Sequence, residues 1–387
     1  MVLDSAGNLY SEVGGGTSDV DGAIFKLTAP STSGGAWVGS LLYSFEGDGT
    51  GLSDGSDPLG GLVVDEMGAF YGTTSRGGAS DRGTVFELTP PAASGDAWTE
   101  SILHRFGGSS NGMSPACSLL RTQNGTLYGT TQAGGSAGAG TIFRLTPPAA
   151  GGTAWTENIL YNFTGGSDGG TPSGELILDK SGTLYGMTNQ GGLGFGTVFE
   201  LTRPAIAGGA WTESVLYSFT GGSDGDHPLG GFIFDSTGAL YGTTNGVYIG
   251  GDCDPARPGR CGTVFKLAPP STQGGAWSYT VIWTFTGFSD GAAPLVGLTL
   301  GKNGKTLYGT ASGGGSISGT GPGTVFRLTP PTAPGGAWTE STLHRFIGSS
   351  KDGGDPDSPL ILSGGALYGT THLGGTFNDG TVFRLVP

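Results

Sequence analysis

Residues 240–244 read LYGTT, and this segment or a near copy occurs seven times in the 387-residue chain, with its tyrosine at Tyr10, Tyr71, Tyr128, Tyr185, Tyr241, Tyr308 and Tyr368. Successive tyrosines are 56 to 67 residues apart, and a fixed period of this size marks a tandem-repeat architecture. Working outward, three further blocks keep their place in each cycle. GTVFxL or a variant follows LYGTT. AWTESxLYxF or a variant comes next in six cycles, with Trp37, Trp98, Trp155, Trp211, Trp277 and Trp338. A block such as GELILDKSG or GGFIFDSTG precedes each LYG.

Each block reads as a strand. In AWTESVLYSF, Trp211, Glu213, Val215, Tyr217 and Phe219 fall on one face and Thr212, Ser214, Leu216 and Ser218 on the other, a period of two. GTVFELT is short, β-branched and aromatic, bounded by Gly before and Pro-Pro or Arg-Pro after. DSAG at 4–7, DKSG at 179–182 and DSTG at 235–238 place Asp first and Gly last, as a type I turn prefers. No window carries sustained helical periodicity with caps. Four short strands per cycle, seven cycles, predict an all-β protein: a seven-bladed β-propeller with four-stranded blades, one domain over residues 1–387. A solenoid would need shorter rungs and capping repeats. The last cycle ends at TVFRLVP, so the seventh blade is expected to be one strand short unless a native N-terminal segment completes it.

Composition agrees. The 81 glycines follow no three-residue period, so they are turns rather than a collagen pattern. With 31 acidic and 17 basic residues the net charge is −14, which disfavours nucleic acid or an anionic membrane as partner and favours cations. No stretch approaches a transmembrane span, and residues 1–20 lack the basic and apolar regions of a signal peptide. The chain starts inside a repeat at MVLDSAGNLY, so a native leader is expected to precede it.

The LYGTTxxGG, GTVFxLTP and AWTExxLYxF blocks resemble those of the bacterial GloVer tandem-repeat proteins, named for a Gloeobacter protein, over essentially the whole chain. The resemblance implies a repeat fold and export, periplasmic or extracellular; it transfers no catalytic residue, because the shared motifs are structural. More weakly, the chain is similar to a calcium-dependent hydrolase of acyl-homoserine lactones. Propeller lactonases of the paraoxonase and gluconolactonase type are a further analogy, though with six blades and motifs not found here.

The loops from each AW strand to the next cycle repeat FxGxSDGxxP and carry Asp54, Asn111, Asp168, Asp224, Asp290 and Asp352. The plain reading is turn chemistry, since Asp-Gly is a turn signal and a turn is needed in every blade while a catalytic group is needed once. Departures from the repeat are therefore the better clues. EGDGTGLSDGSDP holds Glu46, Asp48, Asp54 and Asp57; SDGDHP holds Asp224, Asp226 and His227; KDGGDPDSP holds Asp352, Asp355 and Asp357. Carboxylates interleaved with Gly suit calcium, so Asp224 and Asp226 foremost, with Asp54, Asp168, Asp290 and Asp352, are the candidate ligands. His227 and His372, on the same loop-rich end, are candidate general bases. His104 and His344 stand at the tyrosine position of the AW strand and read as packing or surface residues. The recurring Trp and Tyr read as core rather than sugar platforms. HExxH is absent.

Cys253 and Cys261 bracket DPARPGR in the longest TTxxGG loop, where a disulfide would staple the insertion and imply an oxidising compartment. Two cysteines as metal ligands is the alternative there. Cys117 is left over, in a place that suits a small buried residue. Two functions survive: a calcium-dependent hydrolase opening small lactones or esters at the channel mouth, acting as a monomer on a small-molecule substrate, or an exported binding module for glycans or protein.

Overall fold

The computed structural model describes residues 1–17, 20–32, 35–46, 54–93, 95–108, 111–150, 152–206, 208–246, 259–272, 274–316, 321–333 and 335–387. The chain is an all-β, seven-bladed β-propeller, with no helix among the described residues. Six sheets have four antiparallel strands in chain order; Val63–Val64, Phe70–Thr74, Thr84–Thr89 and Thr99–Arg105 form blade 2. The seventh has three, Ile361–Ser363, Ala366–Thr371 and Thr381–Leu385, beside a short pair of Gly353–Gly354 with Leu373–Gly374. Two compact units divide the chain. One holds residues 1–166, 170–183 and 202–212; the other holds 167–169, 184–201 and 213–387.

Within each unit the repeat letters have physical reasons. The glycine of LYG sits under the phenylalanine of TVF on the neighbouring strand: a Cβ on Gly72 would lie 2.5 Å from Phe86 Cζ, and one on Gly242 would lie 2.7 Å from Phe265 Cζ. That ring in turn meets, edge on, the phenylalanine ending the previous AW strand: Phe45 with Phe86 and Phe106 with Phe143 at 5.2 Å in one unit, Phe285 with Phe326 at 5.1 Å in the other. Apolar burial between blades is thus carried by aromatic pairs with favourable quadrupole geometry. The tryptophans join this packing: Trp155 lies against Tyr71 and Trp338 against Tyr241.

The second threonine of LYGTT bonds the threonine of TVF across the hairpin. Thr74 and Thr84 hydroxyls are 2.9 Å apart, as are those of Thr244 and Thr263.

The alternation read in the AW strands stops halfway. Five AW strands have a bulge opposite the TVF strand; in blade 2 Val85 pairs with His104 but Phe86 with Ile102, so Leu103 has no partner position and turns partly inward. A bulge inserts one residue and shifts the period. In blade 4, Leu216, expected on the face opposite Val215, is half-buried, as Val215 is.

The glutamates of the AWTE blocks face acid. Glu100 and Glu213 are pushed up to about 7, first by burial and then by Asp54 and Asp168 respectively, and Oε1 of each is buried without a hydrogen-bond partner. Because the unfolded value is about 4.3, the folded chain holds more protons between there and 7. Their stabilising contribution is therefore full at low pH and lost as pH rises towards 7. Glu100→Gln and Glu213→Gln should each raise stability at pH 8 by about 1 kcal/mol after discounting for solvent screening, and leave it unchanged near pH 4. Thermal unfolding at the two pH values measures this; an equal effect at both would contradict it.

Candidate functional site

The recurring loop aspartates close their own loops. Asp224 accepts from the Thr220 amide at 2.8 Å and hydroxyl at 2.5 Å, the Gly222 amide at 3.2 Å and the Tyr217 hydroxyl at 3.0 Å. Burial raises its pKa, but these donors outweigh burial and hold it below the ordinary value. Asp54 accepts from the Glu46 amide at 3.0 Å and from Tyr43; Asp290 accepts from the Thr286 amide at 3.0 Å and its hydroxyl. Asp352 accepts from the Ile347 amide at 3.0 Å, and Asn111 from the Gly107 amide at 2.9 Å. His104 and His344 stand where Tyr43 and Tyr217 do, and their Nε2 atoms meet Asn111 at 3.1 Å and Asp352 at 3.2 Å. Asp168 is half-buried near Glu213. The following glycine is set by close approach: a Cβ on Gly225, where φ is +90°, would lie 2.2 Å from Thr244 Oγ1.

The six expected ligands are not brought together. Among the described residues no three His, Cys, Asp or Glu side chains are placed to hold a metal ion. Asp48 lies outside the described residues, as does Cys253; Cys261 is buried and disulfide-bonded, and Cys117 is buried and free.

Two positions later the loops share a second device. Asp57, Ser114, Thr171, His227, Ala293 and Asp355 each precede proline and each has φ between +49° and +56°. This is the left-handed region that residues with a side chain seldom adopt. Backbone hydrogen bonds fix it: the His227 amide donates to Phe195 O at 3.0 Å and its carbonyl accepts from the Asn245 amide at 3.2 Å. The Asp355 amide likewise donates to Pro322 O, and its carbonyl accepts from the His372 amide at 2.9 Å. The position is a latch from one cycle to the next, and its side chain is free to vary.

Against this frame one blade departs. The residue before the latch is Ser56, Met113, Gly170, Ala292 or Gly354 elsewhere, but Asp226 in SDGDHP. Asp226 is 1% exposed, and its Oδ1 has no hydrogen-bond partner. His227 Nδ1 lies 3.7 Å from that oxygen, an ion-pair distance too long for a hydrogen bond. Burial pushes the Asp226 carboxyl up, while His227 and the Arg260 guanidinium oppose the shift. Asn245, whose amide bonds the His227 carbonyl, has Oδ1 buried and unpartnered. The His227 ring is about one-third exposed and edge-on to Phe195 at 6.2 Å. The arrangement can polarise an imidazole: the carboxylate faces Nδ1, and Nε2 is left on the opposite side of the ring. Asn245 and Arg260 did not stand out in the sequence; Asn245 occupies a slot filled by Ser75, Gln132, Asn189, Ser312 or His372 in other cycles.

His372 sits in a wetter place. Its ring is 69% exposed, with Nδ1 3.8 Å from Asp357, which is itself 44% exposed. Burial raises the pKa of Asp355 and Asp357, and His372 opposes both shifts. Half-solvated charges of this kind interact weakly, so the pair lacks the buried anchor of Asp226.

The chain belongs to the Gloeobacter/Verrucomicrobia repeat family, whose model matches residues 1–253 and 256–387. No curated protein sequence matches it. Among solved structures it is similar to a candidate 6-phosphogluconolactonase from Bacteroides uniformis, with a TM-score of 0.56 and 13% identity over 97% of this chain and 95% of that one. It is also similar to the periplasmic gluconolactonase of Pseudomonas aeruginosa, with a TM-score of 0.54 and 12% identity over 98% and 99% of the two chains. At these identities the likeness is one of fold.

Proposed function

We propose that this chain is a hydrolase opening small lactones or esters, N-acyl-homoserine lactones among them, at the Asp226–His227 loop. The observation that carries the reading is Asp226, a buried carboxylate at a position where five other cycles have a small or neutral residue. Burying a carboxylate with one oxygen lacking a hydrogen-bond donor costs stability, so its presence beside an accessible imidazole supports a chemical role. The fold likeness to two proteins described as lactonases is compatible with this and carries no residue across.

His227 takes a proton from water as the water oxygen attacks the ring carbonyl carbon. Asp226 steadies the resulting imidazolium. The tetrahedral intermediate then expels the ring oxygen, which receives the proton from His227 Nε2, and the product is a hydroxy acid. Calcium belongs to the proposal at this loop alone: Asp226 Oδ1 and Asn245 Oδ1 are buried acceptors lacking a donor, a fitting start to an oxygen shell that backbone carbonyls and water would complete. When bound it would supply Lewis-acid polarisation of the lactone carbonyl. Export is part of the reading, supported by the oxidised state of Cys261, and so is action as a monomer.

Asp226→Asn tests the pair. Turnover should fall by about 10- to 100-fold through loss of imidazolium stabilisation, while stability at neutral pH in calcium-free buffer holds or rises because a buried charge is removed. Chelation should lower turnover and melting temperature of the parent chain and leave the melting temperature of Asp226→Asn unmoved. Equal chelator responses in both chains would remove calcium from this loop.

A further inference from the structure

At the other end of the strands of blades 5 and 6 lies a groove of about 380 Å³, within the range of small-ligand sites. Tyr241 and Trp338 form its aromatic wall, with ring centroids 6.1 Å apart, and Pro330 and Pro331 continue it. Lys266 stands over Tyr241, Nζ 5.3 Å from the ring centroid, and Lys305 comes from the facing turn.

The turn that brings Lys305 breaks the repeat. Blades 1, 2, 4 and 5 have Asp4, Asp65, Asp179 and Asp235 at its head and reach the LY strand five residues on, as in DSTGAL. Blade 6 reads GKNGKTL: Gly301 replaces the aspartate and one residue is added, placing Lys305 in the groove. One carboxylate is lost and one amine gained at a single point of a chain whose net charge is −14. The remaining acid, Asp235, has its oxygens engaged by the Thr237 amide and hydroxyl, the Ala239 amide and the Tyr241 hydroxyl. Burial raises its pKa, but these donors outweigh burial, so it stays ionised. Lys266 Nζ is 3.9 Å away. The second amine, Lys305, is exposed and faces no carboxylate lining the groove other than Asp235.

We propose that this groove binds a carboxylated sugar of the uronate type, the ring lying on Trp338 and the proline wall and the carboxylate held between Lys266 and Lys305. Aromatic and proline faces suit the C–H face of a sugar ring, and two amines suit one carboxylate. The site is independent of the Asp226–His227 loop.

Calorimetric titration of the full chain with sodium glucuronate, glucose and sodium benzoate tests it. Glucuronate should bind with millimolar affinity, at least about 10-fold tighter than glucose or benzoate and more weakly as salt rises. Lys305→Ala, an exposed change that leaves the fold intact, should weaken glucuronate about 10-fold, and Lys305→Glu should abolish it. The proposal is overturned if no saturable heat is seen, if glucose or benzoate matches glucuronate, or if both Lys305 variants bind as the parent does.

Discussion

Phe265→Ala is expected to lower the unfolding free energy by about 3–5 kcal/mol, a large part of the ~5–15 kcal/mol that holds a typical domain together. Phe265 is fully buried. Its ring meets Phe219 at 5.5 Å, Tyr279 at 5.3 Å and Phe232 at 6.1 Å, so truncation removes contacts within its blade and with the preceding one. The converse change, Gly242→Ala, overpacks the same spot, because the new methyl would stand 2.7 Å from Phe265 Cζ and 3.0 Å from Phe232 Cδ1. It should cost about 1–3 kcal/mol. Pairing Gly242→Ala with Phe265→Leu, whose side chain lacks the ring tip, should cost less than the sum of the two single changes. Denaturant unfolding of the four chains gives the answer. Strict additivity would mean that the glycine of LYG is not there to admit the ring.

His227→Ala should reduce lactone turnover by about 10²- to 10⁴-fold, the usual loss when a general base is removed, with the melting temperature little changed. The fold tolerates the change because the latch uses only the His227 backbone, and Ala293 already occupies the equivalent position in the next cycle with a φ of +53°. His372→Ala should leave turnover intact, since its ring is mostly solvated and has no buried acid behind it. Retained activity in His227→Ala with loss in His372→Ala would move the site to blade 7.

The fold was legible because every blade repeats the same solution. LYG, TVF and the AW strand each state a contact that recurs, and loop glycines such as Gly55 and Gly225 mark close approaches that only a residue without Cβ permits. The bulge was not legible, since Leu103 looks like an ordinary member of an alternating strand until the partner strand shows where the extra residue falls. The candidate site was half legible. SDGDHP stood out as a departure, but sequence weighted Asp224 and Asp226 alike. Only the structure separates them: Asp224 is saturated by its own loop, while Asp226 is sealed in with an oxygen unpaired. The recurring aspartates of the expected ligand set are the same lesson in reverse, because at Asp54, Asp224, Asp290 and Asp352 repetition reflects loop closure. The Lys305 insertion was visible as one extra residue, yet its meaning depended on Lys266 and Trp338 lying across the same groove.

The most direct test of the account is acid release from N-hexanoyl-homoserine lactone, followed at constant pH with the purified parent chain, His227→Ala and Asp226→Asn in calcium-containing buffer. Saturable ring opening by the parent chain is expected, well above the spontaneous rate, with loss to near that rate in His227→Ala and an intermediate value in Asp226→Asn. Acid release by the parent chain no faster than buffer, or equal rates in all three chains, would contradict it.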